Sequence, residues 1–297
     1  MSALDDHALA ADLAERAGHL LLTLRAGDGE PDALRKAGDR QSHEFLMAEL
    51  ARERPGDAVL SEEGVDNKER LSADRVWIVD PLDGTREFGD PGRTDWAVHV
   101  ALWARNAPAP QEQWSESRTA AAVTGDLIAG AIALPAQERV LATVAGESLQ
   151  ADESAGRPDR RADFRRPSEG APAEISPGPG AQRPLRMVVS RSRASDLVKD
   201  VAKRLQADLV PCGSAGAKVA TVVLGENDVY LHSGGFYEWD TAAPVAVARQ
   251  RGFHVSRIDG SPVVYNQEDP LLPDILVCRP AIAPVLLNAI REATHAI

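Results

Sequence analysis

Cysteine is nearly absent from this chain: Cys212 and Cys278 are the only two in 297 residues, far apart and without Cys-x-x-Cys spacing. That excludes a disulfide framework and a cysteine-built zinc site, and it makes a reducing cytoplasm the expected home. Positive charge is also scarce, with 33 Lys and Arg against 45 Asp and Glu, a formal net charge of -12 and a pI near 5.1. A general nucleic-acid or membrane-surface binder depends on a positive field, so neither kind of partner is expected. The acidic start Met1-Ser2-Ala3-Leu4-Asp5-Asp6 carries no basic segment before a long apolar stretch, and neither a signal peptide nor a membrane span is expected. The seven histidines, His99 and His232 among them, show no metal-ligand spacing and read as core or surface residues. No internal repeat is present.

What the chain does carry is oxygen chemistry. Asp80-Pro81-Leu82-Asp83-Gly84-Thr85 follows the apolar run Val76-Trp77-Ile78-Val79, which reads as a buried strand. Asp80 is therefore expected at a strand's carboxyl end, Pro81 stiffens the exit, and Gly84 permits a turn that a side chain would obstruct. Thr85-Arg86-Glu87-Phe88 is expected to open a helix whose free amide hydrogens favour an anion such as phosphate. Upstream, Ser61-Glu62-Glu63 closes the short strand Ala58-Val59-Leu60; far downstream, Trp239-Asp240 opens a helix over Thr241 to Arg251. Hard divalent cations take oxygen ligands, and a pair of them sharing carboxylates can hold both the attacking and the leaving oxygen of a phosphate ester. Glu62, Asp80, Asp83 and Asp240 can supply that clamp, with the Leu82 carbonyl as an extra oxygen. Each motif also has a plainer reading: Asp83 caps a solvated turn, Glu62 and Glu63 form a surface acidic pair, and Asp240 is an N-terminal carboxylate favoured by the helix dipole.

Together, in this order over nearly the whole chain, the three motifs resemble the magnesium-dependent, lithium-sensitive phosphomonoesterases of the inositol monophosphatase superfamily. The resemblance implies that Glu62, Asp80, the Leu82 carbonyl, Asp83 and Asp240 bind metal, and that Thr85 helps activate the attacking water. Its partner is implied to be Asp39, in Gly38-Asp39-Arg40-Gln41 near the start of the second helix; read from the residues alone, Asp39 is a helix N-cap. Asp39, Glu62 and Thr85 form the implied catalytic set. Val189-Ser190-Arg191-Ser192-Arg193, Gly213-Ser214 followed by Lys218, and Glu238-Trp239-Asp240-Thr241-Ala242-Ala243-Pro244 are similar to the CysQ-type 3′-phosphoadenosine 5′-phosphate phosphatases within that superfamily. Substrate contacts are then implied at Gly84, Thr85, Ser190, Arg191, Gly213, Ser214 and Lys218. For Arg191, Arg193 and Lys218 the plainer reading is a solvated surface base.

The chain departs from the subgroup's pattern in three places. Arg193 stands where the subgroup has a histidine, and the Ser214 to Lys218 spacing is one residue longer than usual. Leu34-Arg35-Lys36-Ala37-Gly38 replaces a Ser-Pro-Val-Thr stretch near a third, loosely held metal, so the resemblance implies two magnesium ions and leaves a third open. The superfamily also implies a homodimer, for which no residue here identifies an interface.

The pattern of elements is mixed α/β (α+β), and the resemblance implies a layered αβαβα sandwich. A first lobe is expected over 1–149. In it, Leu4, Leu9, Leu13, Ala17, Leu20 and Leu24 mark one amphipathic helix, and Ser42 to Arg54 is a second, ended by Pro55-Gly56. Trp96 to Leu102 alternates as a strand, and Leu127–Leu134 with Arg139–Val144 reads as a hairpin around Pro135-Ala136-Gln137. The stretch 150–184, rich in Pro, Gly, Ala and charge, reads as a mobile surface insert. A second lobe over 185–297 alternates strand and helix: Leu185–Val189, Asp196–Gln206, Asp208–Pro211, Ala217–Leu224, Asp228–Leu231, Thr241–Arg251, Ile275–Cys278 and Ala281–Ala296. The function expected is hydrolysis of 3′-phosphoadenosine 5′-phosphate to AMP and phosphate. Inositol monophosphate and fructose 1,6-bisphosphate remain alternative substrates, and a non-catalytic regulator that keeps the metal and phosphate pocket is the alternative of another class.

Overall fold

The computed structural model describes residues 4–27, 30–107, 125–146, 183–192 and 194–294. Nearly all of the expected insert at 150–184, and Arg193, lie outside the described residues. Helix α1 (Asp6–Arg25) starts where the Asp5 carboxylate accepts the Ala8 amide at 2.8 Å, and it buries Leu9, Leu13, Ala17 and Leu21 along one stripe. Helix α2 (Pro31–Glu53) opens on a proline whose fixed φ suits the first helical position, and it buries Gly38, Ser42, Leu46 and Leu50, one every four residues.

These two helices cover one face of a five-stranded sheet. Its order is β1 (Ala58–Ser61), β2 (Arg75–Asp83), β3 (Ala97–Arg105), β4 (Gly125–Leu134) and β5 (Arg139–Ala142), with β1 parallel to β2 and the rest antiparallel. Against its other face lie α5 (Ala215–Val223) and α6 (Glu238–Gln250), which also touch a second sheet. That sheet runs β7 (Asp208–Cys212), β6 (Arg186–Ser190), β8 (Val229–Tyr237), β10 (Leu271–Cys278) and β9 (His254–Ser256). Here β6 is parallel to both β7 and β8, whereas β10 runs antiparallel to β8 and β9. Helices α4 (Asp196–Arg204) and α7 (Ala283–Thr294) pack against each other and bury their apolar faces with Met187 and Leu231 of this sheet. The layers thus alternate helix, sheet, helix, sheet, helix, the expected αβαβα sandwich.

Three buried clusters glue the layers, with Leu13, Leu46 and Trp77 in the first, Ile78, Ile132, Val245 and Val277 in the second, and Met187, Leu231 and Leu286 in the third. Each fully buried aliphatic side chain contributes roughly 1.5–3 kcal/mol relative to exposure. Because both faces of the first sheet are covered, β3 is buried continuously from Ala97 to Trp103, and its expected alternation separates two cores rather than core from solvent.

Several elements differ from the sequence-based expectation. Strand β2 does not stop at Val79: β3 keeps pairing with it at Asp80–His99 and, beyond an irregularity at Pro81-Leu82, at Asp83–Ala97. Asp80 therefore lies inside a strand, beside a bulge. Helix α2 begins at Pro31 rather than Ser42, which makes Asp39 a mid-helix residue and not a cap. Its first turns bury Gly38 and Ser42, small or polar residues that carry no hydrophobic signal. Strand β8 runs on to Tyr237 because β10, longer than expected at its start, pairs with it as far as Leu271–Tyr237. Strand β9 was not expected at all.

Candidate active site

The end of β2, the short helix α3 (Thr85–Phe88), the ends of β6 and β7, and the starts of α5 and α6 meet around one cleft of about 360 Å³. Glu62, Asp80, Leu82, Asp83 and Asp240 all line it, although they come from sequence positions far apart. Asp80 is fully buried and accepts the Leu82 amide at 3.0 Å, while the Pro81 carbonyl is fastened to α2 by the Ser42 hydroxyl at 2.7 Å. Asp83 Oδ2 accepts the Gly216 amide of α5 at 2.8 Å, and Asp240 Oδ2 accepts the Tyr237 amide at 2.7 Å. Asp83 and Asp240 are thus positioned by backbone donors at the openings of two helices, where partial positive charge favours them.

Burial, and after it repulsion from Glu62, Asp83 and Asp240, pushes the Asp80 carboxyl well above the ordinary carboxylate range. Glu62 is exposed by surface area, yet its carboxyl end is packed among the others, and that packing raises it to about 7 despite a hydrogen bond with Asp80. Four carboxyls crowded in one cleft are a poor arrangement for a metal-free protein and a good one for a hard divalent cation, whose charge removes the repulsion and whose preferred donors are oxygens.

Thr85 stands at the lip of this cluster. Its hydroxyl lies 3.2 Å from Asp39 Oδ1 and 3.1 Å from the Leu82 carbonyl, so two acceptors share one proton. Asp39 does not line the cleft but stands behind Thr85. Burial, then the nearby Glu63 charge, raises it to about 6. Gly84, between Asp83 and Thr85, has φ +85°, a conformation that favours glycine, and a Cβ there would also crowd the Ser214 side chain at 3.1 Å.

Ser190, Arg191, Gly213, Ser214 and Lys218 line the same cleft. Arg191 Nη2 donates to Glu87 Oε1 of α3 at 2.9 Å. Ser214 caps α5 by accepting the Ala217 amide at 2.9 Å. Lys218 is buried, which overturns the reading of a solvated surface base: its ammonium donates to the Gly213 carbonyl, and burial lowers its pKa. Its placement on the inward face of α5, beside the negative charge of Asp83, is the physical reason it is tolerated there.

Four contributors escaped the sequence reading. His99 is no ordinary core histidine: its Nδ1 is 3.2 Å from the Trp239 carbonyl, its Nε2 is 3.3 Å from Asp83 Oδ2, and one donor atom each from Asp80, Asp83 and His99 fall within 4.8 Å of one another. The cross-strand pairing of Asp80 with His99 brings it there, and no linear spacing encodes that. His232 likewise lines the cleft, stacked on Phe236 with centroids 4.6 Å apart. Asp95, ion-paired with Arg93, accepts the Gly213 amide at 2.6 Å through its side chain and the Ser214 amide at 3.1 Å through its carbonyl, fixing that turn. Glu87, which positions Arg191, was read only as part of the helix after Gly84. A second concavity of about 360 Å³ near residues 55–59 and 67–73 holds no comparable chemistry, since its buried Arg70 is already bonded to Asp66, Asn266 and the Gln267 carbonyl.

A profile of the inositol monophosphatase family matches residues 7–109 and 119–295. The chain is 45% identical over 292 residues to a protein of Mycobacterium leprae (strain TN) named 3′-phosphoadenosine 5′-phosphate phosphatase, covering 97% of this chain and 94% of that relative. It is 26% identical over 268 residues to the 3′(2′),5′-bisphosphate nucleotidase CysQ of Escherichia coli (strain K12), covering 88% of this chain and 94% of the relative. Among solved structures, CysQ from Bacteroides thetaiotaomicron matches with a TM-score of 0.67 and 28% identity over 92% of this chain and 96% of that one. Inositol monophosphatase II from Staphylococcus aureus MSSA476 matches with a TM-score of 0.71 over 97% and 96% of the two chains, at 18% identity, a likeness of fold.

Proposed function

Because this chain belongs to the inositol monophosphatase family, we propose that it is a metal-dependent phosphomonoesterase that hydrolyses 3′-phosphoadenosine 5′-phosphate to AMP and phosphate. The observation that carries the chemistry is the convergence of Glu62, Asp80, Asp83 and Asp240 on one cleft, with Thr85 held between Asp39 and the Leu82 carbonyl. The choice of ester rests on the relatives, since carboxylates that bind cations do not read the leaving group.

Glu62, Asp80 and the Leu82 carbonyl would hold one magnesium ion, and Asp80, Asp83 and Asp240 a second. Bound there, the ions would supply Lewis acidity, acidifying the attacking water and neutralising the leaving oxygen. Thr85 orients that water, and Asp39 takes its proton through the Thr85 hydroxyl. A base raised to about 6 is ionised at neutral pH and still close enough to that pH to exchange protons. As the water oxygen bonds to phosphorus, the bond from phosphorus to the 3′ oxygen breaks, and AMP leaves after that oxygen takes a proton from solvent water, Asp39 returning its own proton to solvent.

The Gly84 and Thr85 amides, at the cleft ahead of α3, would donate to phosphate oxygens. Ser190, Arg191 and the Gly213-Ser214 turn, packed against Gly84 and Glu87, would contact the substrate beyond the reacting phosphate, while Lys218 holds that turn and offsets the negative charge of Asp83.

Steady-state phosphate release with magnesium tests this reading, with 3′-phosphoadenosine 5′-phosphate, inositol 1-phosphate and fructose 1,6-bisphosphate at matched concentrations, with and without lithium. The nucleotide should be strongly preferred. Equal or faster release from the cyclitol or sugar phosphates would keep the chemistry and overturn the substrate. No release from any of them would leave a metal- and phosphate-binding regulator as the better description.

A further inference from the structure

The described residues expose few large apolar side chains, and two of them, Tyr237 at 45% and Leu271 at 49%, face each other across one rung of the β8–β10 ladder. Tyr237 also lines the cleft that holds the carboxylates. One face of its ring is taken by Trp239, with centroids 4.7 Å apart and planes 13° off parallel. Phe236, stacked on His232, continues the aromatic wall inside the same cleft. Just before these rings, Gly234 and Gly235 adopt φ +137° and +81°, a backbone conformation that side chains disfavour, so β8 curls there before its pairing with β10 resumes at Phe236–Leu272 and Tyr237–Leu271. An exposed aromatic beside a polar cleft gives up water at little cost when a flat apolar group covers it.

Resting on the reading that the substrate is a nucleotide, we propose that Tyr237, backed by Trp239 and flanked by Leu271, is the platform on which the purine of the substrate stacks. The ring is tethered to the hydrolytic centre, because the Tyr237 amide donates to Asp240 Oδ2 at 2.7 Å. A base stacked there has its distance from the Asp240 carboxylate set by the backbone rather than by a flexible side chain. Cyclitol and furanose phosphates present no flat π face, so this wall rewards a nucleotide over esters that the carboxylates alone would accept equally. Tyr237 is a specificity-determining residue in this account and takes no part in proton transfer.

The test uses the magnesium-loaded full chain and the variants Tyr237→Leu and Tyr237→Trp. AMP affinity is measured by calorimetry, and kcat and KM are compared for 3′-phosphoadenosine 5′-phosphate and ribose 3,5-bisphosphate, which carries the same phosphates without the base. Tyr237→Leu should weaken AMP about tenfold, within the range for loss of one base–aromatic stack. It should raise KM for the nucleotide with little change in kcat, and it should narrow the preference for the nucleotide over the base-free ester by the same factor. Tyr237→Trp should retain AMP affinity. AMP binding by Tyr237→Leu as tight as the unaltered chain's would overturn the platform. So would equal losses on both esters, since the side chain would then act through Asp240. If the unaltered chain ignores AMP and the nucleotide yet releases phosphate from inositol 1-phosphate, the substrate reading itself fails and the platform with it.

Discussion

Asp83 makes two contacts that limit what can replace it: Oδ2 accepts the Gly216 amide at 2.8 Å and lies 3.3 Å from His99 Nε2. Asparagine keeps an oxygen for the amide but loses the charge that a cation needs. Asp83→Asn should therefore fold with a melting temperature near that of the unaltered chain while kcat/KM falls by roughly 10³-fold or more, the scale seen when a charge-stabilising group is removed from an active site. Phosphate release at saturating magnesium measures this, and near-normal turnover would remove Asp83 from the centre. Glu62, raised to about 7 mainly by burial, and Asp80, held well above the ordinary carboxylate range by burial and then by Glu62, bind their protons more tightly folded than unfolded. Protonation thus stabilises the metal-free fold at low pH, and the part that Glu62 contributes is lost as pH rises through about 7. On the proposed reading magnesium takes the ionised carboxyls as ligands, so its effect on the melting temperature should be larger at about pH 8 than at about pH 6. A magnesium-induced shift that is the same at both pH values would contradict this account.

At the scale of elements, the proposed proton path depends on how closely α2 approaches β2 and α3. Gly38 sets that approach, because a Cβ there would lie 2.7 Å from Phe88 Cε1 and 2.9 Å from Leu82 Cδ2. Gly38→Ala gains helix propensity but must push α2 outward, and overpacking of this kind costs about 1–3 kcal/mol. Asp39 is the next residue on the helix, so the same displacement should lengthen its 3.2 Å contact with Thr85. The expected outcome is a lower melting temperature together with a fall in kcat that exceeds any rise in KM. A variant that is destabilised but turns over normally would show that the site tolerates movement of α2. The bulge in β2 serves the same end on the other side, since it lets Asp80 and Asp83 both reach the cleft from one strand.

Across the whole molecule, α5 and α6 belong late in the sequence yet fill the layer between the two sheets, and one buried cluster draws on both. Arg249 of α6 crosses that layer to Asp126 of β4 at 3.0 Å and also donates to the Val263 carbonyl at 3.1 Å, with both members of the pair buried. Removing the guanidinium strands a buried carboxylate already raised by desolvation. Arg249→Met should cost about 3–5 kcal/mol, and pairing it with Asp126→Leu should return a large part of that. Denaturant midpoints of the two single variants and the double variant check this; simple additivity would mean that the pair carries no coupling. The net charge of -12 bears on the same scale, because an anionic substrate approaches a molecule of its own sign. The attraction that holds it must be local to the cations of the cleft.

The sequence by itself determined the chemistry and most of the elements. Asp80, Asp83, Glu62 and Asp240 stand in short motifs that carry the oxygen donors of the proposed metal site, and α1 and the β4–β5 hairpin carry apolar periodicity that needs no partner to be read. Such signals are local, so they survive in one dimension. Tertiary structure alone decided what depends on a neighbour. The early start of α2 was hidden because its buried face is made by Gly38 and Ser42, whose fit is to Leu82, Phe88 and the Pro81 carbonyl rather than to water. His99 and Asp95 look like unremarkable polar residues until strand pairing and the start of α5 bring them beside Asp83 and Gly213. The aromatic wall formed only when β10 extended β8 to Tyr237. A side chain's local pattern reports its own propensity; its electrostatics and its place at a site are set by what long-range packing puts within a few ångströms.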